Sequence, residues 1–339
     1  MTIAHNGAES ARPLVPAQAY FGDALPKRAL RLGGRTSHLA RAYVRRVIDA
    51  LSAVAPGLEI EYVPIETSGD RHKGDLSELG GKGLFMKEID KALVTGAIDA
   101  AVHCMKDVPG DVPLPKGLVF AAYLPREDVR DAVVFSEGAG YSDLAELPSG
   151  ARIGTSAVRR KAQILRKRPD LHVQRFRGNV VPRLTRLEEE REVDALVLAR
   201  GGLVQVGMGH RISQVLGMDE MCPAIGAGVV GVQCRKTDEG IVELLQMIDH
   251  GETRTHLLAE RTMLHALQGH CNSPIAGHCH TTEDGQLSLI GMVFSRDGST
   301  FAYAHEWDTP DHAYELGAYV AATLNRKNAR SIIAGTRLH

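Results

Sequence analysis

The sequence predicts an α/β protein of two lobes around a cleft, followed by a small α+β C-terminal domain, and three observations carry that prediction. Short apolar runs alternate with amphipathic helical stretches early in the chain, the pattern of βαβ units. The same pattern starts afresh near residue 151, which calls for a second lobe. A chain of 339 residues also exceeds one ordinary core.

The elements follow in order. Residues 1–28 are rich in Pro, Ala and polar side chains, lack the apolar core of a secretory signal, and read as a disordered extension. Residues 29–124 with 224–246 are expected to form the first lobe, 125–223 the second and 250–339 the C-terminal domain. In the first lobe, 29–32 reads as a strand, Gly33 to Ser37 as a turn, 38–54 as an amphipathic helix and 58–64 as the next strand. Leu84, Phe85, Ile89, Ala92 and Leu93 recur at helical spacing, Gly96 ends that helix, and 98–102 reads as a short buried strand. Residues 126–135 lie where the chain crosses between lobes. Beyond it come a strand at 151–153, a turn at Gly154-Thr155-Ser156 with hydroxyl N-cap candidates, and a helix at 157–167. Strands at 172–175 and 195–199 flank a helix at 181–190, and 223–234 is a Gly-rich return segment. The C-terminal domain should hold a helix at 253–267, a loop with Cys271, strand-like runs at 287–294 and 301–307, and a helix at 313–325.

Hydrophobic residues at 44% and charged residues at 24% are ordinary for a soluble globular protein, and no apolar run approaches the roughly 18 residues that span a bilayer. With 40 basic against 41 acidic residues, composition suggests no affinity for bulk nucleic acid. Five cysteines without a C-x-x-C pair fit a reducing, cytoplasmic compartment and no disulfide framework. Charge is uneven along the chain, however. Between Arg152 and Arg186, the basic residues Arg159, Arg160, Lys161, Arg166, Lys167, Arg168, Arg175, Arg177 and Arg183 are opposed only by Asp170, which implies a local anion site.

Chemistry concentrates at a few places. Lys106-Asp107 follows the strand at 98–102, and ligands of open α/β sheets sit beyond the carboxyl ends of strands, so Asp107 is the first catalytic candidate rather than an ordinary surface acid. A carboxylate close to arginines keeps its charge and can steady a cation that develops during reaction. Ser156 with Arg159 and Arg160 places hydroxyl and guanidinium donors at one helix start, suited to anions and opposed to the helix dipole. Arg177 and Arg183 open the next helix, and Arg35 and Ser37 occupy the equivalent turn of the first lobe; together they suit a substrate with several carboxylates. Gly80-Gly81-Lys82-Gly83 lacks the G-x-x-x-x-G-K-[ST] spacing of a phosphate loop and reads as a lid with Lys82 and Phe85. Cys271 sits in a turn after a helix, and His278, Cys279 and His280 extend it to G-H-C-x6-H-C-H. That spacing matches no usual zinc pattern, and no metal is expected.

Several stretches together resemble the hydroxymethylbilane synthase, or porphobilinogen deaminase, family from Arg31 to the last helix. They are R-L-G-G-R-T-S-H-L-A (31–40), G-G-K-G-L-F through H-C-M-K-D-V-P (80–109), R-E-D-V-R-D-A (126–132), G-T-S-A-V-R-R-K-A-Q (154–163), R-P-D-L (168–171), R-G-N-V (177–180) and A-E-R-x-x-L (259–264). The resemblance implies a three-domain enzyme whose first two lobes are like a periplasmic binding protein, with a dipyrromethane primer held by a thioether to Cys271. It implies porphobilinogen as substrate: each unit loses ammonia, the resulting electrophile joins the growing polypyrrole, and water releases a linear tetrapyrrole after four additions. Asp107 takes the catalytic role by motif position. Lys82, Lys106, Ser156, Arg159 and Arg160 are implied for the primer, Arg35, Ser37, Arg177 and Arg183 for substrate or chain, and Phe85 for the lid. A cytoplasmic monomer is implied as well.

The chain departs from the family pattern at three places. Gln205 in R-G-G-L-V-Q-V-G stands where a substrate-binding arginine is expected, Ala227 replaces a glutamine near the primer, and G-H-C-N-S-P-I-A-G replaces G-G-C-Q-V-P-I-G. Arg200 adds a charge nearby. These departures leave two other readings: a diverged paralogue that makes a shorter or altered pyrrole oligomer, and a non-catalytic anion-binding protein.

Overall fold

The computed structural model describes residues 28–72, 83–269 and 273–336. The first sheet begins with β1 (Leu30–Arg35), β2 (Ile60–Ile65), β3 (Ala100–Cys104) and β4 (Leu118–Tyr123), with β1 parallel to both β2 and β3. A second sheet contains β5 (Asp131–Phe135), β6 (Arg152–Gly154), β7 (His172–Gln174), β8 (Ala195–Ala199) and β9 (Gln214–Val215), in the order β7-β6-β8-β5-β9. The chain then returns as β10 (Val230–Arg235), antiparallel between β3 and β4, so the first sheet reads β2-β1-β3-β10-β4. Both sheets thus share one plan, three parallel strands with an antiparallel fourth beside them. The Gly-rich return segment becomes a buried central strand.

In the first lobe, α1 (His38–Val54) buries Tyr43, Val44, Val47 and Leu51 at helical spacing against Leu30, Leu32, Ala100 and Val102. The short α2 (Ser68–Arg71) precedes α3 (Lys87–Val94), which starts three residues later than the spacing from Leu84 predicts and is followed by Gly96 at φ +73°. β1 is longer than expected: the supposed turn at Gly33 and Gly34 is strand, paired to Val63 and Pro64. The glycines are there for closeness. A Cβ on Gly33 would lie 2.4 Å from Ile98, and one on Gly34 2.6 Å from Val44. Arg28, placed in the extension by its composition, forks Asp99 at 2.7 and 2.9 Å; the remaining residues of that extension lie outside those described.

The second lobe carries α4 (Val158–Lys167), α5 (Val180–Thr185), which runs on into a π-helical turn at Arg186–Glu190, and α6 (Arg200–Gln205). The N-cap of α4 is Ala157, not a hydroxyl residue; Thr155 is buried, and its Oγ1 accepts from Ala157 N at 3.4 Å. After α7 (Glu239–Gln246), the C-terminal domain packs α8 (Gly251–Ala266), α9 (Ala313–Arg326) and α10 (Ala329–Ala334) on one face of the antiparallel sheet β11 (Ile275–Thr281), β12 (Leu287–Phe294) and β13 (Phe301–Asp308). β11 has no polarity signal in the sequence, because Ile275 to Cys279 are buried in succession. Among the described residues no helix is long and apolar enough to cross a membrane.

One buried ion pair joins these parts. Arg126, in the first crossing between lobes, donates from Nη1 to Glu260 Oε1 at 2.7 Å and from Nη2 to Oε2 at 3.2 Å, and from Nε to the Ala227 carbonyl of the second crossing at 2.9 Å. Glu260, on α8, has no solvent exposure and also accepts the backbone N–H groups of Gly226 and Cys279, each at 2.8 Å. Burial alone would raise the Glu260 carboxyl, but the charge and hydrogen bonds of Arg126, with His278 Nδ1 at 3.5 Å, outweigh it and hold the group at about 2. Removing one partner of such a pair leaves the other charge buried and uncompensated. Glu260→Gln is therefore expected to lower unfolding free energy by about 3–5 kcal/mol in urea titrations.

Candidate functional site

The parallel strands of both lobes aim their carboxyl ends at one cleft, the place where α/β sheets bind ligands. It has two chambers. The first, about 530 Å³, is lined by Arg35, Ser37, Tyr43, Phe85, Lys106 and Asp107 among others. The second, about 350 Å³, is lined by Glu127, Asp131, Arg159, Arg160 and the small residues Gly201, Ala227 and Gly228. Tyr43 and Lys106 line both, so the chambers meet at Lys106.

Asp107 ends a 3-10 turn (Met105–Asp107) that directly follows β3, and its side chain is 35% exposed. The turn is held by Met105 N donating to the Val229 carbonyl at 2.9 Å and by Gly226, φ +70°, whose absent Cβ would come within 2.9 Å of the Met105 backbone. Arg35, the last residue of β1, reaches Asp107 Oδ2 at 3.4 Å and lies 4.0 Å over the Phe85 ring. Ser37 caps α1 by accepting from Ala40 N at 3.3 Å, which leaves its O–H available to the chamber it lines.

In the second chamber, Arg159 and Arg160 are buried and share one carboxylate, Asp131, at 2.6 and 2.8 Å. Each already spends an Nη2 on Asp131, Arg159 also donates to the Cys222 carbonyl, and Arg160 donates to the Val197 carbonyl at 3.3 Å. Two cations against one anion still leave positive charge, and Arg160 Nε is buried without a hydrogen-bond partner. Arg183 adds to it. Burial first, then the charges of Arg160, Arg177 and Arg186, push its guanidinium down to about 10, and no carboxylate pairs with it among the described residues. Burial also lowers Arg177. Neither Arg177 nor Arg183 lines the two chambers, and Ser156 is exposed and lines neither. Lys82 and Cys271 lie outside the described residues.

The departures also find their places. Gln205 donates its amide to Glu127 Oε1, which is also 2.6 Å from Arg46 Nη1. Arg200 pairs with Asp128 at 2.9 Å, a carboxylate that Arg130 also holds at 2.7 Å and that neutralises only one of the two. Ala227 leaves open space in the second chamber. Among the described residues no group of three or more His, Cys, Asp or Glu could hold a metal ion; His278 and His280 stack on each other at 5.7 Å. Sequence reasoning missed Asp70, which forks Arg35, and Asp131. The Thr67–Asp70 capping box was a visible signal for the first, whereas Asp131 shares R-E-D-V-R-D-A with Glu127 and Asp128 and carried no signal of its own.

A family model described as "Porphobilinogen deaminase, dipyromethane cofactor binding domain" matches residues 30–243, and one described as "Porphobilinogen deaminase, C-terminal domain" matches 255–326. The chain is 48% identical over 306 residues to porphobilinogen deaminase 2 of Streptomyces coelicolor, covering 90% of this chain and 96% of that one. It is 42% identical over 307 residues to porphobilinogen deaminase of Syntrophotalea carbinolica, covering 90% and 95%. Among solved structures, the methionine binding protein MetQ aligns over 67% of this chain and 92% of its own, with a TM-score of 0.41 and 14% identity.

Burial would raise Asp131, but attraction to Arg159 and Arg160 outweighs it and holds the carboxyl at about 2, below the ordinary value near 3.9. A depressed carboxyl contributes stability above its unfolded value and loses it as pH falls through the folded one. Thermal stability should therefore stay level down to about pH 4 and fall steadily toward pH 2. In Asp131→Asn that part of the acid loss should shrink, read by calorimetry against pH, from a less stable starting point.

Proposed function

This chain belongs to the porphobilinogen deaminase family, and on that footing we propose that it is a hydroxymethylbilane synthase, a transferase of porphyrin, tetrapyrrole and haem biosynthesis. It condenses four porphobilinogen molecules, one at a time with loss of ammonia, on a covalent dipyrromethane primer, and then releases the linear tetrapyrrole by hydrolysis. The observation that carries this reading is the placement of an accessible aspartate, Asp107, in one chamber, joined through Lys106 to a cationic second chamber.

Asp107 is the catalytic residue. Loss of ammonia leaves positive charge on the pyrrole, and a carboxylate fixed beside it in the cleft lowers the cost of that charge. The second chamber suits the acidic side chains of the primer through the spare Arg160 Nε and the net charge of the Asp131 triad. Lys106, Arg159, Arg160 and Lys82 would hold it, Cys271 would carry it by a thioether, and Ser156 joins the set by motif position alone. When bound, the dipyrromethane supplies the pyrrole carbon that is extended. Arg35, Ser37, Arg177 and Arg183 take the acetate and propionate groups of incoming and added rings, with Phe85 backing Arg35. Balanced charge supports the absence of nucleic-acid partners and cysteines without a C-x-x-C pair support a cytoplasmic location, while a monomer is carried over from the family resemblance alone.

Intact mass spectrometry of protein from a tetrapyrrole-making host should show one dipyrromethane above the polypeptide mass, and none in Cys271→Ser; a bare wild-type mass overturns the proposal. Asp107→Ala should consume porphobilinogen at least about 100-fold more slowly, measured by substrate depletion. A released product shorter than a tetrapyrrole would instead favour the diverged paralogue, the reading that Gln205 and Ala227 motivate.

A further inference from the structure

We propose that Asp70 is a positioning residue that holds Arg35 off Asp107, so that the catalytic carboxylate faces substrate instead of forming a closed ion pair. The proposal rests on the assignment of Asp107 as the catalytic group. Two carboxylates lie within reach of the Arg35 guanidinium, and they hold it unequally. Asp70 takes Nη2 at 2.6 Å and Nε at 3.2 Å to both oxygens, whereas Asp107 receives a single Nη1 contact at 3.4 Å. A fork of that kind is the strong form of the interaction, and the lone contact is the weak one.

Asp70 is itself fixed. Its Oδ2 accepts from Thr67 Oγ1 at 2.7 Å and from Thr67 N at 3.2 Å, and its side chain is only 13% exposed. The turn that carries it is tied to the start of α3 by Gly69 N donating to the Leu84 carbonyl at 3.0 Å and by Ser68 bonding to Glu88. Gly69 also lies so near the Phe85 ring that a Cβ there would meet it at 2.3 Å. Phe85 then covers Arg35 at 4.0 Å. The guanidinium is thus held by Asp70 and Phe85, with its Nη1 edge left toward the chamber. Without the Asp70 carboxylate, the nearest anion for the freed fork is Asp107. Pairing there would neutralise the charge that the reaction needs.

The test compares wild type with Asp70→Asn, which keeps an oxygen for Thr67 but removes the charge, in primer-bearing protein confirmed by intact mass. Porphobilinogen consumption in Asp70→Asn should show kcat lowered about 10- to 100-fold with KM little changed, the pattern of a group that serves the transition state. Asp70→Glu should recover a large part of that loss. The double variant Arg35→Gln, Asp70→Asn should be no slower than Arg35→Gln alone, since no guanidinium remains to be restrained. A crystal structure of Asp70→Asn should show Arg35 forked onto Asp107. Wild-type kcat in Asp70→Asn, multiplicative losses in the double variant, or an Arg35 that stays away from Asp107 in that crystal would overturn the inference. Failure of the functional assignment is separate: it appears as wild-type protein that does not consume porphobilinogen, while the crystallographic outcome still decides where Arg35 goes.

Discussion

The Arg126–Glu260 pair is the constraint on which the architecture turns. It is buried where ions are costly, and two guanidinium bonds, two backbone N–H groups and the Ala227 carbonyl hold it there, while His278 Nδ1, 3.5 Å from Glu260, makes no hydrogen bond. Those partners come from both interlobe crossings, from α8 and from β11. Its effect reaches the chemistry through one residue. Gly226 donates to Glu260 and at the same time packs on the Met105 backbone, so the turn that presents Asp107 is set by a charge pair in another part of the molecule.

The cleft is cationic although the whole chain carries a formal charge of -1. Local stoichiometry explains this. Asp131 neutralises only one of Arg159 and Arg160, and Arg183 sits within electrostatic reach of both Arg160 and Arg177 without a carboxylate of its own among the described residues. Arg46 is paired with Glu127, whereas Asp128 is shared by Arg130 and Arg200 and neutralises only one of them. Gln205 contributes a dipole to a position already tied to Glu127.

Much of this was legible from local pattern. The helix at His38–Val54 falls where its periodicity puts it, because it has one buried face and a clear start, and the strands at Ala195–Ala199 and Leu287–Phe294 fall where short apolar runs put them. The place of Asp107 just beyond the carboxyl end of a strand was legible, and the family motif, not the strand end alone, set it apart from an ordinary surface acid. What stayed hidden depends on partners far along the chain. Asp131 meets Arg159 across 28 residues and Asp70 meets Arg35 across 35, and neither acid looks special without its guanidinium. β11 was hidden for a different reason: Gly277, His278 and His280 break up its apolar run, although Ile275 to Cys279 are buried in succession. The strand extension through Gly33 and Gly34 was misread because glycine there answers to crowding by Ile98 and Val44, not to a turn.

The position of β10 bears on how the molecule is assembled during synthesis. β3 and β4 are never direct neighbours; the strand that joins them is made only after the whole second lobe has left the ribosome. Until Val230–Arg235 arrives, the nascent first sheet exposes unpaired edges of the kind that invite intermolecular pairing. The N-terminal lobe is for the same reason not a separable fragment: a cut anywhere before β10 removes the centre of its sheet, and any engineered split of this protein has to carry two pieces of chain to rebuild one lobe.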